Sequence, residues 1–329
     1  MDDLNLVTAT NGGYVMRHQL IDLGYSDRQI SQAKRARLLR RIRHGTYVLE
    51  SEWATLSPAE RHRVLARSVL DKLGPGVVAS HHTAAAFHGY DLYGVDLSAV
   101  HVTRLDGRSG RREAGIVYHH GLVLPDDDIR EVEGRAVTQP MRAVFESSSL
   151  ASVESGMVTA SSALRTRQFT RDELIEDGRR FDHWLGTRRA RLAIRLSDAS
   201  LETVGEVRSL HMMWRHRIPH PELQHAVTSA DGRFIARTDF AWVPARHTGE
   251  FDGMVKYGRL NPHASDPGLT ITKEKVREDA VRDQLMGMSR WTWSGLDVRA
   301  QAATAGMIHE GIERSRRLYT RNGVIIPLG

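Results

Sequence analysis

Between Ser200 and Tyr257, acidic side chains recur at spacings that can gather them around one cation. Glu250 and Asp252 flank Phe251, so in a strand both carboxylates share one face and the ring takes the other. Asp239 lies in the run Phe234–Trp242, whose alternation predicts a neighbouring strand on which the two acids converge. Glu202 and Glu206 are four residues apart, and a helix beside that sheet would add one of them. Acids this close repel, and burying them is costly without compensation. Mg²⁺ or Mn²⁺ is the natural compensation, because a hard divalent ion takes oxygen ligands. It also activates water and stabilises charge on a transferring phosphate. Lys256, four residues past Asp252, can neutralise such a site or meet a phosphate. The plainer reading makes the same acids solvated edge residues or salt-bridge partners.

The elements that must hold these acids are legible. Apolar Val204, Val207, Leu210 and Trp214 recur at a helical period, and Pro219 and Pro221 stop that helix. Strands are predicted over 223–227, 234–242 and 249–255, with Asp231-Gly232 as the hairpin turn between the first two. This region resembles the restriction-endonuclease-like PD-(D/E)XK superfamily, in its very-short-patch-repair-like branch. The likeness is carried by Glu202, Asp239 and Glu250-Phe251-Asp252-Gly253. It implies an α/β/α domain that hydrolyses phosphodiesters. Asp239 then corresponds to the metal-binding Asp and Glu250 to the Glu of the E-x-K pair. Glu202 shapes or completes the site. Asp252 stands where many members carry the catalytic Lys, a role that Lys256 can fill from downstream.

The chain has 329 residues, enough for two or three domains, and carries a net charge of +6. It has no cysteine, which removes disulfides and thiolate metal sites and fits a cytoplasmic protein. No apolar run reaches membrane-spanning length, and the acidic start Met1-Asp2-Asp3 argues against a signal peptide.

Residues 1–50 read as helix, turn, helix and a basic hairpin, the order of a winged helix-turn-helix. Ser26 caps a third helix from Asp27 to about Arg37, and two strands are expected about His44-Gly45. Six of the ten residues from Lys34 to Arg43 are Lys or Arg. Arg28, Gln32, Lys34 and Arg35 on the helix, with Arg40, Arg41 and Arg43 on the hairpin, are the expected contacts to double-stranded DNA. A solvated basic helix, or a winged helix used for protein contacts, is the alternative.

From 51 to 198 the expectation is an α+β middle domain with a helical bridge, Arg179–Arg195, at its end. The segment 106–113 reads as an exposed hairpin loop between strands 99–105 and 115–120. His81, His82, His88, His119 and His120 invite a zinc reading, but neighbours on a helix or strand diverge, so no zinc is expected. The first 180 residues resemble the AbiEi antitoxin family of type IV toxin–antitoxin systems. The marks are 79–89, Val100-His101-Val102-Thr103 and 137–144, with Gly45-Thr46-Tyr47. The resemblance implies a nucleotidyltransferase toxin as partner and repression of the protein's own operon.

The last domain, 199–329, continues with a loop, a basic helix over 272–286 and a strand over 288–293 whose Arg290 can meet a phosphate. The fold expected is therefore α/β and multi-domain. The function expected is a DNA-binding antitoxin or autoregulator of toxin–antitoxin or phage-defence type, with a nuclease-like C-terminal domain. The alternative is a non-catalytic repressor whose acids bind a protein partner. A homodimer on a palindromic site is the default for a regulator.

Overall fold

Three short helices and a small sheet begin the chain. They are α1 (Asp2–Thr10), β1 (Val15–Met16), α2 (Arg17–Asp22), α3 (Asp27–Arg35), β2 (Leu39–Arg43) and β3 (Thr46–Leu49). The strands run in the order β1-β3-β2, all antiparallel. Ser26 and Gln29 form a capping box that fixes where α3 starts, and Leu20, Ile30, Leu39 and Tyr47 close a core beneath it. The β2–β3 register slips between Arg41 and Arg43, leaving Ile42 as a bulge.

The computed structural model describes residues 2–120, 126–253 and 280–320. The chain divides into two compact units, Met1–Arg195 and Leu196–Gly329. The α/β, multi-domain character expected from the sequence is what is seen: a helical N-terminal region, and a C-terminal mixed sheet with helices.

The first unit continues through α4 (Glu50–Thr55), α5 (Pro58–Leu73), β4 (Val77–Ala79), α6 (His81–Phe87), β5 (Val100–Arg104), β6 (Arg111–Glu113), β7 (Ile116–His120), β8 (Ile129–Val132) and β9 (Arg135–Thr138). These strands make one six-stranded sheet in the order β6-β7-β5-β4-β9-β8. Helices α7 (Pro140–Leu150), α8 (Val153–Arg165), α9 (Arg171–Asp177) and α10 (Thr187–Leu196) follow. The expected hairpin loop over 106–113 is corrected here. β5 and β7 pair in parallel, so no hairpin can join them. The hairpin is instead β6–β7, turned at Ala114-Gly115, both with positive φ, as a two-residue turn requires. The expected bridge helix over 179–195 is also broken. Gly186 sits at φ +85°, and a Cβ there would lie 2.1 Å from the Ser149 carbonyl oxygen, so α10 starts only at Thr187.

The second unit holds α11 (Val204–Arg215), β10 (Glu222–Thr228), β11 (Phe234–Trp242), β12 (His247–Asp252), β13 (Gly287–Thr292) and α12 (Gln301–Tyr319). The sheet order is β10-β11-β12-β13, with only β12–β13 parallel. On β12, His247, Gly249 and Phe251 face the two helices. His247 is hydrogen-bonded to Ser315 of α12 at 2.8 Å, and Phe251 lies against Gly205 of α11. Trp291 of β13 joins them by donating its indole N–H to Ser209 of α11 at 2.7 Å. Alternation then places Thr248, Glu250 and Asp252 on the opposite face.

Helix and sheet approach closely at one point. A Cβ on Gly205 would fall 1.9 Å from Cε1 of Phe251. Gly205→Ala is therefore expected to destabilise the second unit by about 1–3 kcal/mol, the usual cost of overpacking a filled core. Urea denaturation checks this, and an unchanged midpoint would show that the helix does not sit this close.

Candidate functional site

Asp239, Glu250 and Arg290, from three neighbouring strands, stand in one row across the second sheet. The β10–β11 ladder pairs Leu223 with Phe240 and His225 with Thr238 and passes over Gln224, whose amide turns instead to Glu206 of α11. The β11–β12 ladder ends at the pair Phe240–Gly249, and Asp239 and Glu250 are the residues next to that pair on each strand. Glu250 in turn pairs with Arg290 on β13. Phe240 lies against Trp291 on the helix side, so alternation from the Phe240–Gly249 pair turns Asp239 and Glu250 to the same, opposite side of the sheet. Asp239 is held there, its Oδ2 accepting from the Phe251 backbone N–H at 2.9 Å. Glu250 is 7% exposed and forms an ion pair with Arg290 at 2.7 Å. Gln224 has φ +50°, a left-handed backbone inside a strand, which costs about 1–3 kcal/mol and collects at functional sites. Its Nε2 donates to Glu206 at 2.9 Å.

Glu202 needs correction. It does not share a helix face with Glu206, because Thr203 is the N-cap and α11 begins at Val204. Thr203 takes the cap because its hydroxyl accepts from the Glu206 N–H, leaving Glu202 outside the helix. Glu202 is half exposed and pairs with Arg237 at 2.8 Å. Glu206 is the buried acid, accepting from the Glu202 N–H at 2.9 Å and from the Thr203 hydroxyl at 2.7 Å. Asp252 follows Glu250 on the same face of β12. Lys256 lies outside the described residues, as does most of the basic helix expected over 272–286. No signal in the sequence marks Gln224, because its bond to Glu206 depends on a left-handed backbone that strand alternation does not foresee.

The row offers hard oxygen donors of the kind Mg²⁺ or Mn²⁺ takes. Among the described residues, no three acids or histidines come together as a metal-holding cluster. Asp239 and Glu250 are the two carboxylates of the row that could hold such an ion, with water and phosphate oxygens completing its shell.

On the first unit, Arg28, Gln32 and Arg35 of α3 are exposed and Lys34 is half-buried. On the hairpin, Arg41 is exposed, while Arg40 makes a two-pronged pair with Glu50 at 2.6 and 2.8 Å. Arg43 departs from its neighbours: it is half-buried and lines a cavity.

No family model matches the chain. Two proteins of Mycobacterium tuberculosis are similar to it: the uncharacterized protein Rv2248 of strain H37Rv and the uncharacterized protein MT2308 of strain CDC 1551 / Oshkosh. Each is 28% identical over 210 residues, covering 61% of this chain and 73% of the relative. Neither name carries an activity. Among the described residues, no helix is long and apolar enough to cross a membrane.

Of the five histidines singled out, His88 and His120 do lie apart, bonded to the Thr138 and Gly107 carbonyls, but His81, His82 and His119 gather around His101. His81 begins α6 at φ +53°, off the regular helical path. Its ring stacks on His119 at 3.6 Å, and both His81 and His82 approach His101, at 5.9 and 5.2 Å between centroids. His101 Nδ1 and His119 Nε2 lie 2.9 Å apart, a hydrogen bond in which one ring must be the neutral donor and the other a neutral acceptor. Parallel pairing of β5 with β7 sets His101 and His119 two positions apart in register, which sequence spacing cannot reveal. His82 is bonded to Ser147 at 2.7 Å.

Burial, then mutual repulsion, holds these rings neutral. His82 and His119 are lowered to about 4, His101 to about 3, and His81 well below the usual value. In the unfolded chain they titrate near 6.5. Below about pH 6.5, the unfolded chain binds more protons than the native one, and the gap persists down to the folded values near 4 and 3. Stability should therefore fall as pH drops from 7 to 5. Denaturant midpoints across that interval check it, and a flat profile would contradict the burial of these rings.

Proposed function

We propose that this chain is a DNA-binding protein whose second unit hydrolyses phosphodiester bonds. The observation that supports this best is the row Asp239–Glu250–Arg290, two acids on adjoining strands with a guanidinium paired to the second. Asp239 and Glu250 would hold Mg²⁺ or Mn²⁺. When bound, the ion supplies an activated water and a counter-charge for the phosphate. Arg290, already beside Glu250, can turn a donor to a phosphate oxygen. Gln224, on the strand beside that of Asp239, is tied to Glu206 of α11. The resemblance to PD-(D/E)XK nucleases agrees with this assignment of Asp239 and Glu250.

The order of α1, β1, α2, α3, β2 and β3, with β1 paired to β3, agrees with a winged helix-turn-helix, and α3 offers Arg28, Gln32 and Arg35 to solvent. We assign α3 to the major groove and the hairpin to the phosphate backbone. On the AbiEi resemblance, a cytoplasmic antitoxin or autoregulator with a nucleotidyltransferase toxin as partner and a two-fold dimer on DNA is the biological setting proposed. A second reading has one observation in its favour. The Glu250–Arg290 ion pair supplies the compensating charge without a metal, as in a non-catalytic repressor.

Two measurements separate the readings. Pure protein incubated with plasmid DNA and Mg²⁺ or Mn²⁺ should relax or linearise it, and failure with both ions removes the enzyme. Binding to a duplex covering the protein's own promoter should weaken steeply with salt. Arg35→Gln is expected to lower the slope of log K against log salt by about 1 if Arg35 meets a phosphate. An unchanged affinity and slope would take Arg35 off the DNA.

A further inference from the structure

The first unit contains a cavity of about 530 Å³ between β2, α5 and the β6–β7 hairpin. That volume suits a small-molecule ligand. Its cations come from three separate elements: Arg43 from β2, Lys72 from α5 and Arg111 from β6. Glu113 is the acid in the lining, and it already pairs with Arg111 at 3.0 Å. Ile42, Val69 and Ile116 supply an apolar floor. Tyr118 adds an aromatic wall, with the Arg111 guanidinium 4.9 Å from its centroid.

Arg43 shows that this cavity is built to receive charge. The bulge at Ile42 re-aims the strand, so Arg40 and Arg41 line a different groove from Arg43. Burial lowers the pKa of Arg43, and among the described residues no carboxylate pairs with it. A guanidinium removed from water without an acid partner costs free energy that an incoming anion would recover.

We propose that this cavity binds a nucleotide-sized organic polyphosphate, its phosphates on Arg43, Lys72 and Arg111 and its organic part on the apolar floor and Tyr118. A DNA backbone is the poorer fit. A duplex needs cations projecting from a convex surface, whereas Arg43 is half-buried in a concave one. The site stands apart from the nuclease reading, which concerns the other unit.

Isothermal titration of the full chain with ATP, GTP and inorganic triphosphate tests this without DNA. At least one nucleotide should bind, and more tightly than triphosphate, because only a nucleotide uses the floor. Arg43→Gln and Arg111→Gln should each weaken it about tenfold or more, since each removes a charged hydrogen-bond donor. Arg188→Gln, an exposed change elsewhere, should leave affinity unaltered. Thermal unfolding of each variant establishes that it is folded. No binding by either nucleotide overturns the proposal, as does binding indifferent to both Arg substitutions, or triphosphate binding as tight as nucleotide. If Arg43→Gln weakens duplex DNA binding while no nucleotide binds, the cavity belongs to the DNA backbone and the proposal fails.

Discussion

Asp239→Asn should leave the fold intact and lower Mg²⁺-dependent cleavage of plasmid DNA by at least about 10²-fold. The substitution isolates charge. An asparagine keeps the shape and can still accept the Phe251 N–H that now reaches Oδ2 at 2.9 Å, so the packing of β11 against β12 survives. What it loses is the negative charge of one of the two carboxylates that would hold the ion, and a neutral amide oxygen offsets far less of a divalent charge. The loss should be partly recovered by raising Mg²⁺, because affinity for the ion is what falls first. Gel assays across a Mg²⁺ series, with circular dichroism to confirm the fold, read both effects. Equal cleavage by wild type and variant would remove the row from the chemistry even if the protein cuts DNA.

Arg142→Met should destabilise the first unit by about 3–5 kcal/mol, the cost of breaking a buried ion pair from one side. Arg142 lies on α7 between two acids, 2.6 Å from Asp128 and 2.8 Å from Glu146, and all three side chains are under a tenth exposed. Methionine fills the space but leaves both carboxylates short of their cation. Asp128 retains Arg180 at 3.0 Å, so the larger share of the penalty falls on Glu146. Glu146 accepts from the His81 backbone N–H at 3.1 Å and the Thr138 hydroxyl at 3.2 Å, so the damage should spread to the histidine cluster. Urea unfolding followed at Trp184, whose ring lies 5.4 Å from the Arg142 guanidinium, is the direct measurement. A loss under about 1 kcal/mol would place this triad in the class of exposed pairs.

Local order was written plainly in the sequence. Ser26, Ser57 and Thr170 each start a helix with a capping box because the partner three residues on is Gln or Glu. Asp231-Gly232 set the hairpin, and the alternation in β12 assigned Phe251 and Glu250 to opposite faces before any coordinates. These features depend on neighbours within a few residues, where backbone geometry leaves few choices.

Tertiary structure decided everything that joins distant segments. Arg290 reaches Glu250 only because β13 pairs in parallel with β12, forty residues away in register. The exclusion of Glu202 turned on a single cap: Thr203, one residue later, took the helix start. The histidine cluster required β5 and β7 to run the same way, and Arg43 required a one-residue bulge. Periodicity reports which face a residue takes within its own element. It holds no information about which other element lies across from that face, because that choice follows from packing the whole core at once.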